Sequence, residues 1–291
     1  MNKLKQYLED SRQMVDKELD RLLPKPVGLE ESVCDAMRYS VFAGGKRIRP
    51  ILLLAANKLC EGDSKQALPA ACALEMVHTY SLIHDDLPAI DNGQLRRGKP
   101  TTHKKFNEAV AILAGDALLT LAFETLARCP EAFVAQLVYE LATAAGTTGM
   151  IGGQVADIEW TGRGMEYPTL EFIHSHKTGA LITAAIRMGA ILAKADETAL
   201  KSLTGYGRCL GLAFQIADDI LDVESSSALT GKDSGADAAL GKATYPRLFG
   251  VSESRQRCLG LIDQAKKHLA DFGARADLLE GIADMVGNRT A

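Results

Sequence analysis

The chain has 291 residues, 47% of them hydrophobic, enough for a substantial core in one large domain or two small ones. With 33 Lys and Arg against 37 Asp and Glu, its net charge of −4 leaves no electrostatic basis for nucleic acid or an anionic membrane surface as a general partner. Six cysteines, at 34, 60, 72, 129, 209 and 258, form no C-x-x-C pair and sit mostly in apolar periodic segments. That is the pattern of reduced thiols in a cytosolic protein, so no disulfide is expected. The N-terminus has no apolar h-region, and no run approaches the roughly 18 uninterrupted apolar residues of a spanning helix. A soluble, cytoplasmic protein without membrane insertion is expected.

Leu4, Tyr7, Leu8, Val15, Leu19 and Leu22 recur at three- and four-residue spacing, an amphipathic helix that Pro24 and Pro26 end. A second helix runs from about Glu30 to Phe42 and stops at Gly44-Gly45. Pro50 suits the first turn of a third, through Leu59, so Lys46, Arg47 and Arg49 crowd a helix N-terminus. A fourth spans Leu68 to Leu87. Further helical patterns cover about Phe106 to Ala127, Ala132 to Thr143, Leu170 to Ala193, Glu197 to Asp222, Glu253 to Phe272 and Leu278 to Val286. No alternating strand pattern of useful length occurs, and the connections are short, which predicts an all-α fold with one shared core over 1–291. Ser225 to Pro246, rich in Ser, Gly and Ala, has the profile of a mobile loop beside a site.

Two acidic clusters stand out in this apolar sequence. His84-Asp85-Asp86-Leu87-Pro88-Ala89-Ile90-Asp91 ends the fourth helix, and Pro88 interrupts it so that Asp91 returns toward Asp85. Asp218 and Asp222, four apart, share one helix face, where they repel unless a cation neutralises them. Paired carboxylate walls of this kind suit hard cations, above all Mg²⁺ when the bridged ligand is a phosphate. Cations accompany them: Gly44-Gly45-Lys46-Arg47-Ile48-Arg49-Pro50, His78, Arg96-Arg97-Gly98 and His176-Lys177-Thr178-Gly179 each set a basic group at a glycine or helix end. Singly, each has an ordinary reading: a surface turn, a core histidine, a solvated loop lysine. Together, two acidic clusters and four basic ones suit two diphosphates, one bridged by metal and one bound by Arg and Lys alone.

These motifs, with Gly152-Gly153-Gln154, Phe214-Gln215-Ile216-Ala217-Asp218-Asp219-Ile220-Leu221-Asp222 and Gly241-Lys242-Ala243-Thr244-Tyr245-Pro246, resemble the trans-isoprenyl diphosphate synthases from about Ser32 onward. Within that family the chain is most similar to the bacterial farnesyl diphosphate synthases, also called geranyltranstransferases. The resemblance implies the isoprenoid synthase fold, roughly ten or more helices around a deep central cavity, in a homodimer. It implies two or three Mg²⁺ held by Asp85, Asp86 and Asp91 from one side and by Asp218 and Asp222 from the other. Arg96, Lys177 and Lys232 match positions that contact the allylic diphosphate. Lys46, Arg49, His78 and Arg97 match the metal-free pocket for isopentenyl diphosphate. Thr178 and Gln215 match the groups that face the developing allylic cation, and with Lys177 form the expected catalytic set.

Tyr80 lies five residues before Asp85, roughly 7–8 Å along the same helix at about 1.5 Å per residue. Its ring, with Ser81 beside it, is a candidate floor that limits product length, and ordinary core packing is the competing reading. An aromatic here, with Pro88 and Ala89 inside the first motif, is the family's pattern for the farnesyl product. The alternatives are a geranylgeranyl diphosphate synthase, a class I terpene cyclase, or a non-catalytic regulatory subunit of a heteromeric synthase. Asn92-Gly93-Gln94 replaces further acids after the first motif, and the tail Asn288-Arg289-Thr290-Ala291 carries a single cation.

Overall fold

The computed structural model describes residues 2–164, 166–224, 242 and 244–290; Lys232 and most of the predicted loop lie outside the described residues. The chain is all-α. Helix α1 spans Asn2–Leu22, α2 Glu31–Val41, α3 Ile48–Leu59 and α4 Ser64–Asp85. Helix α4 begins four residues earlier than its apolar periodicity suggests, because the Asp63 side chain caps it by accepting the Lys65 N–H at 2.9 Å. Short α5, Thr102–Lys105, leads to α6, Glu108–Leu126, which Asn107 caps in the same way. Then come α7, Glu131–Ala145, and α8, Met150–Trp160, the latter absent from the helical patterns read above. The predicted helix over 170–193 is a composite: α9, Tyr167–Ile173, passes through a π-helical turn, His174–Gly179, into α10, Ala180–Leu192. Helix α11 covers Glu197–Glu224. Helix α12, Tyr245–Lys267, starts inside the predicted loop and breaks at Gly250 (φ 77°), and α13 spans Asp277–Gly287.

Among the described residues one small sheet interrupts the helices. Leu95–Arg96 pairs antiparallel with Lys99–Pro100, with Leu95 opposite Pro100 and Arg96 opposite Lys99. Arg97 (φ 54°) and Gly98 (φ 74°) make the two-residue turn, and positive φ at both positions is what a type I′ hairpin needs. The Arg-Arg-Gly run is thus a built hairpin tip. The Tyr39 hydroxyl ties it to α2 by donating to the Pro100 carbonyl at 2.7 Å.

Packing runs in a chain of neighbours: α6 on α4, α4 on α3, α3 on α10, α10 on α11, and α11 on α12. Helix α3 is deeply enclosed, with every residue from Pro50 to Asn57 buried. Each buried Leu or Ile there contributes about 1.5–3 kcal/mol. Helices α4 and α11, which end in the two acidic clusters, are therefore joined through α3 and α10. Among the described residues α6 alone is long and apolar enough to cross a membrane by length and composition, with mean hydropathy 1.7. It carries Asp116 and Glu124 within its length and packs lengthwise on α4.

Arg47 departs from its neighbours. Its left-handed backbone (φ 51°) turns the side chain inward, where it donates to Glu75 at 2.8 Å, Asp16 at 2.8 Å and the Val41 carbonyl at 2.6 Å. Glu75 is itself buried, so Arg47 pairs a carboxylate that water does not reach. It is a structural cation, unlike Lys46 and Arg49 beside it in the sequence. All six cysteines are free thiols.

Candidate active site

The first acidic cluster closes on itself. Helix α4 ends at Asp85, Pro88 prevents its continuation, and the Asp91 N–H returns to donate to the Asp85 carbonyl at 2.9 Å. Asn92, in the left-handed region at φ 49°, completes the return by donating its N–H to the Leu87 carbonyl at 3.0 Å. Burial pushes the Asp85 carboxyl above its ordinary value; Asp91 acts in the same direction, while Lys177, Arg96 and Lys242 oppose. Asp86 points elsewhere, with both oxygens taken by Arg96, at 2.7 Å from Nε and 2.8 Å from Nη2. This two-point pair joins the end of α4 to the hairpin and holds the guanidinium beside the acidic loop.

Two lysines bridge from this loop to the π turn. Lys242 lies 3.0 Å from Asp91 and 4.0 Å from Asp157 on α8, and Lys177 donates to the same Asp157 oxygen at 2.7 Å. Asp157 was not among the residues the motifs singled out, and it neutralises a lysine from each side. The π turn carries an extra residue per turn and so re-aims Lys177 and Thr178 relative to α10, a feature that recurs at functional sites. Helix α8 approaches this turn so closely that a Cβ on Gly153 would lie 2.3 Å from the Lys177 backbone nitrogen. Glycine is required there for contact, and the Gly-Gly-Gln motif gains a physical reason.

On α11 the three aspartates divide their roles. Asp219 is buried and accepts from Gln215 Nε2 at 2.9 Å, His174 Nε2 at 2.9 Å and the Tyr245 N–H at 3.0 Å. Burial lowers the His174 pKa to about 3, so a neutral imidazole donates in this contact. Asp219 thus anchors the start of α12, and its neighbours Asp218 and Asp222 sit on a more open face. Arg289 pairs with Asp218 at 2.9 Å and lies 5.1 Å from the Phe214 ring centroid, bringing the single tail cation into the site. Gln215, fixed by Asp219, accepts the Thr178 hydroxyl proton at 2.7 Å. The Thr178 oxygen lone pairs are left for an electron-poor partner.

The remaining cations gather near α3. Arg49 Nη1 donates to His78 Nε2 at 3.3 Å, and Arg97 reaches across to donate to the Gly44 carbonyl. Arg49 Nε is buried with no hydrogen-bond partner among the described residues, a donor aimed at something further. Burial lowers the pKa of Lys46, Arg49 and Arg97 alike, and the cations reinforce one another: Arg289 on Lys46, Arg97 on Arg49, Arg47 on Arg97. His78 is pushed well below its ordinary 6.5 by burial and by four arginines, so it is neutral and accepts from Arg49. This is a recess of concentrated positive charge suited to an anion. Asp218 opposes the shifts of Lys46 and Arg49, which puts the basic recess and the α11 carboxylates in one electrostatic neighbourhood.

A polyprenyl synthetase family model matches residues 30–276 of the chain. The chain belongs to that family. It is 43% identical to a farnesyl diphosphate synthase of Geobacillus stearothermophilus, across 98% of this chain and 98% of that one. It is also 46% identical to a geranylgeranyl diphosphate synthase of Cyanophora paradoxa, over 97% and 95% respectively. A crystal structure of an FPP/GFPP synthase from Zymomonas mobilis superposes with a TM-score of 0.88 at 40% identity, covering 98% of this chain and 99% of that one. The all-helical bundle is therefore the isoprenoid synthase fold, and the chemistry of the family is trans-prenyl transfer. For a polyprenyl synthetase the arrangement is economical: carboxylates and lysines meet at the ends of α4, α8 and the π turn, and a separate cationic recess lies by α3. The signal for Asp157 was the one charged residue in the stretch Met150 to Ile158, behind two glycines.

Proposed function

We propose that this polyprenyl synthetase condenses isopentenyl diphosphate with dimethylallyl and then geranyl diphosphate, giving farnesyl diphosphate with Mg²⁺ as cofactor. The observation that carries the reading is two chemically different anion environments in one site. One mixes carboxylates with cations (Asp85, Asp91, Lys177, Lys242); the other is purely basic (Lys46, Arg49, Arg97, with neutral His78). A terpene cyclase needs only the first. A non-catalytic subunit would be expected to lack one acidic cluster, and both are present.

The donor set fits Mg²⁺. Among the described residues no three acids, histidines or thiols form a ready-made metal cage. That suits an ion held by one or two carboxylates and completed by substrate phosphate oxygens. Asp85, Asp91, Asp218 and Asp222 would hold two or three such ions, with Asp86 in support through Arg96. When bound, Mg²⁺ would supply positive charge against a diphosphate leaving group. Arg96 and Lys177, with Lys232, bind the allylic diphosphate, and Lys46, Arg49, His78 and Arg97 bind isopentenyl diphosphate and exclude water from it. The oriented oxygens of Thr178 and Gln215 stabilise the allylic cation as the C–O bond breaks. The isopentenyl double bond attacks that cation, and the released diphosphate accepts the proton then lost.

Tyr80 supports the farnesyl product. Its ring is buried and its hydroxyl has no partner among the described residues, so burial, aided by Asp85, pushes the hydroxyl up to about 12. Ser81 donates to the His78 carbonyl at 2.8 Å and so keeps its hydroxyl on the helix. The second reading is a geranylgeranyl diphosphate synthase, favoured by the Cyanophora relative. A cytoplasmic homodimer completes the proposal. Ile112 and Leu113 on α6, and Ile151, Val155 and Ile158 on α8, are each 42–57% exposed, an apolar surface suited to a second copy.

The test is the product profile with Mg²⁺, labelled isopentenyl diphosphate and, separately, dimethylallyl, geranyl and farnesyl diphosphate. Products ending at farnesyl support the proposal. Efficient extension of farnesyl diphosphate favours the second reading, and no condensation with any starter overturns both.

A further inference from the structure

Between α4 and α6 lies a side chain that the reaction does not use. His84, one turn after Tyr80 on α4, meets the Tyr80 ring edge to face, with centroids 5.7 Å apart and planes at 74°. Three features fix its imidazole. The Nε2–H donates to the Ile112 carbonyl of α6 at 3.1 Å, and Asp116 Oδ1 lies 3.9 Å from the same nitrogen. Opposite stands Gly115, where a Cβ would fall 2.1 Å from His84 Nε2, 2.6 Å from Cδ2 and 2.9 Å from Cε1. The imidazole fills the space that a side chain would occupy, so any residue but glycine evicts it. The hydrogen bond and the notch together hold the imidazole where it contacts Tyr80.

Tyr80 needs such a support, because its buried hydroxyl makes no hydrogen bond among the described residues that would fix the ring from its far end. We propose that His84, seated against Gly115, is a positioning residue for product length: it braces the Tyr80 ring across the path of the growing prenyl chain. This rests on Tyr80 being the floor. Without the imidazole the ring has a vacated volume on the α6 side into which it can turn, and the path deepens although Tyr80 is still present.

The experiment compares product-length distributions of the wild type, Tyr80→Ala, His84→Ala, the Tyr80→Ala/His84→Ala double variant and Gly115→Ala under identical conditions. The fraction extended beyond the wild-type length rises in His84→Ala by roughly three- to tenfold, the scale of one lost aromatic contact. Gly115→Ala, which keeps His84 and Tyr80 in the sequence but displaces the imidazole, gives the same shift. The double variant matches Tyr80→Ala, because a brace has nothing left to hold. An active His84→Ala or Gly115→Ala enzyme with the wild-type distribution overturns the inference, as does a double variant that extends chains beyond Tyr80→Ala, which would make His84 itself part of the lining. An unchanged profile in Tyr80→Ala overturns the floor and the brace together, whereas a lengthened Tyr80→Ala beside an unchanged His84→Ala overturns the brace alone.

Discussion

Lys177 Nζ donates to Asp157 Oδ2 at 2.7 Å, and both side chains are mostly buried. The pair joins α8 to the π turn and sets where the lysine charge sits relative to Asp85, whose carboxyl it stabilises. Asp157→Asn keeps the shape and removes the anchor. Condensation, measured as kcat/KM for the allylic substrate, falls about 10- to 100-fold, the scale expected when a positioned group is displaced by about 1 Å. Wild-type kinetics in this variant would mean that Lys177 holds its place without Asp157.

Gly153→Ala attacks the same lysine from its backbone. The new methyl would stand 2.3 Å from the Lys177 nitrogen and 2.8 Å from its Cα, so helix α8 must move rather than a flexible side chain. Destabilisation of about 1–3 kcal/mol is expected from such overpacking. Urea unfolding measures it, and Gly152→Ala is not an equivalent control, because its own Cβ meets the Thr147 carbonyl at 2.0 Å.

Buried neutral histidines make stability depend on pH in a definite direction. His78 lies well below 6.5 in the fold, and His174 at about 3. In the unfolded chain both titrate near 6.5, so below that pH the unfolded state binds more protons and stability falls as pH drops. Each group contributes its full stability above about pH 6.5 and loses about 1.4 kcal/mol per unit below it, until its folded pKa is reached. Urea midpoints at pH 7.5, 6 and 5 test this. A shallower dependence in His78→Gln is the expected result, and an identical slope would remove His78 as a source.

Tyr80→Ala removes the proposed floor outright. Product analysis should show chains longer than the wild type makes, with the condensation itself retained. An active variant with an unchanged product would return Tyr80 to ordinary core packing.

Much of this was legible in the residues, and the exceptions have physical causes. The strongly periodic α1, α6 and α11, the Pro88 interruption and the i,i+4 spacing of Asp218 and Asp222 all speak in local pattern. Helix α8 does not, since Gly152 and Gly153 look like a break yet serve close approach to the π turn. That turn is equally silent, because the sequence 170–193 has an uninterrupted helical pattern on either side of it. Arg47 reads like Lys46 and Arg49, and only its left-handed backbone and the buried Glu75 separate it from them. The two-point Asp86–Arg96 pair and the Arg289–Asp218 contact join residues far apart in the fold's elements, and no spacing rule announces them.

The central claim is that two carboxylate clusters and a separate basic recess serve metal-assisted prenyl transfer. Incorporation of labelled isopentenyl diphosphate into an allylic starter, measured with Mg²⁺ and again with excess EDTA, tests it most directly. The account predicts a longer prenyl diphosphate with Mg²⁺ and none with EDTA, restored when Mg²⁺ is returned. Equal incorporation in both, or none in either with dimethylallyl, geranyl and farnesyl diphosphate, would contradict it.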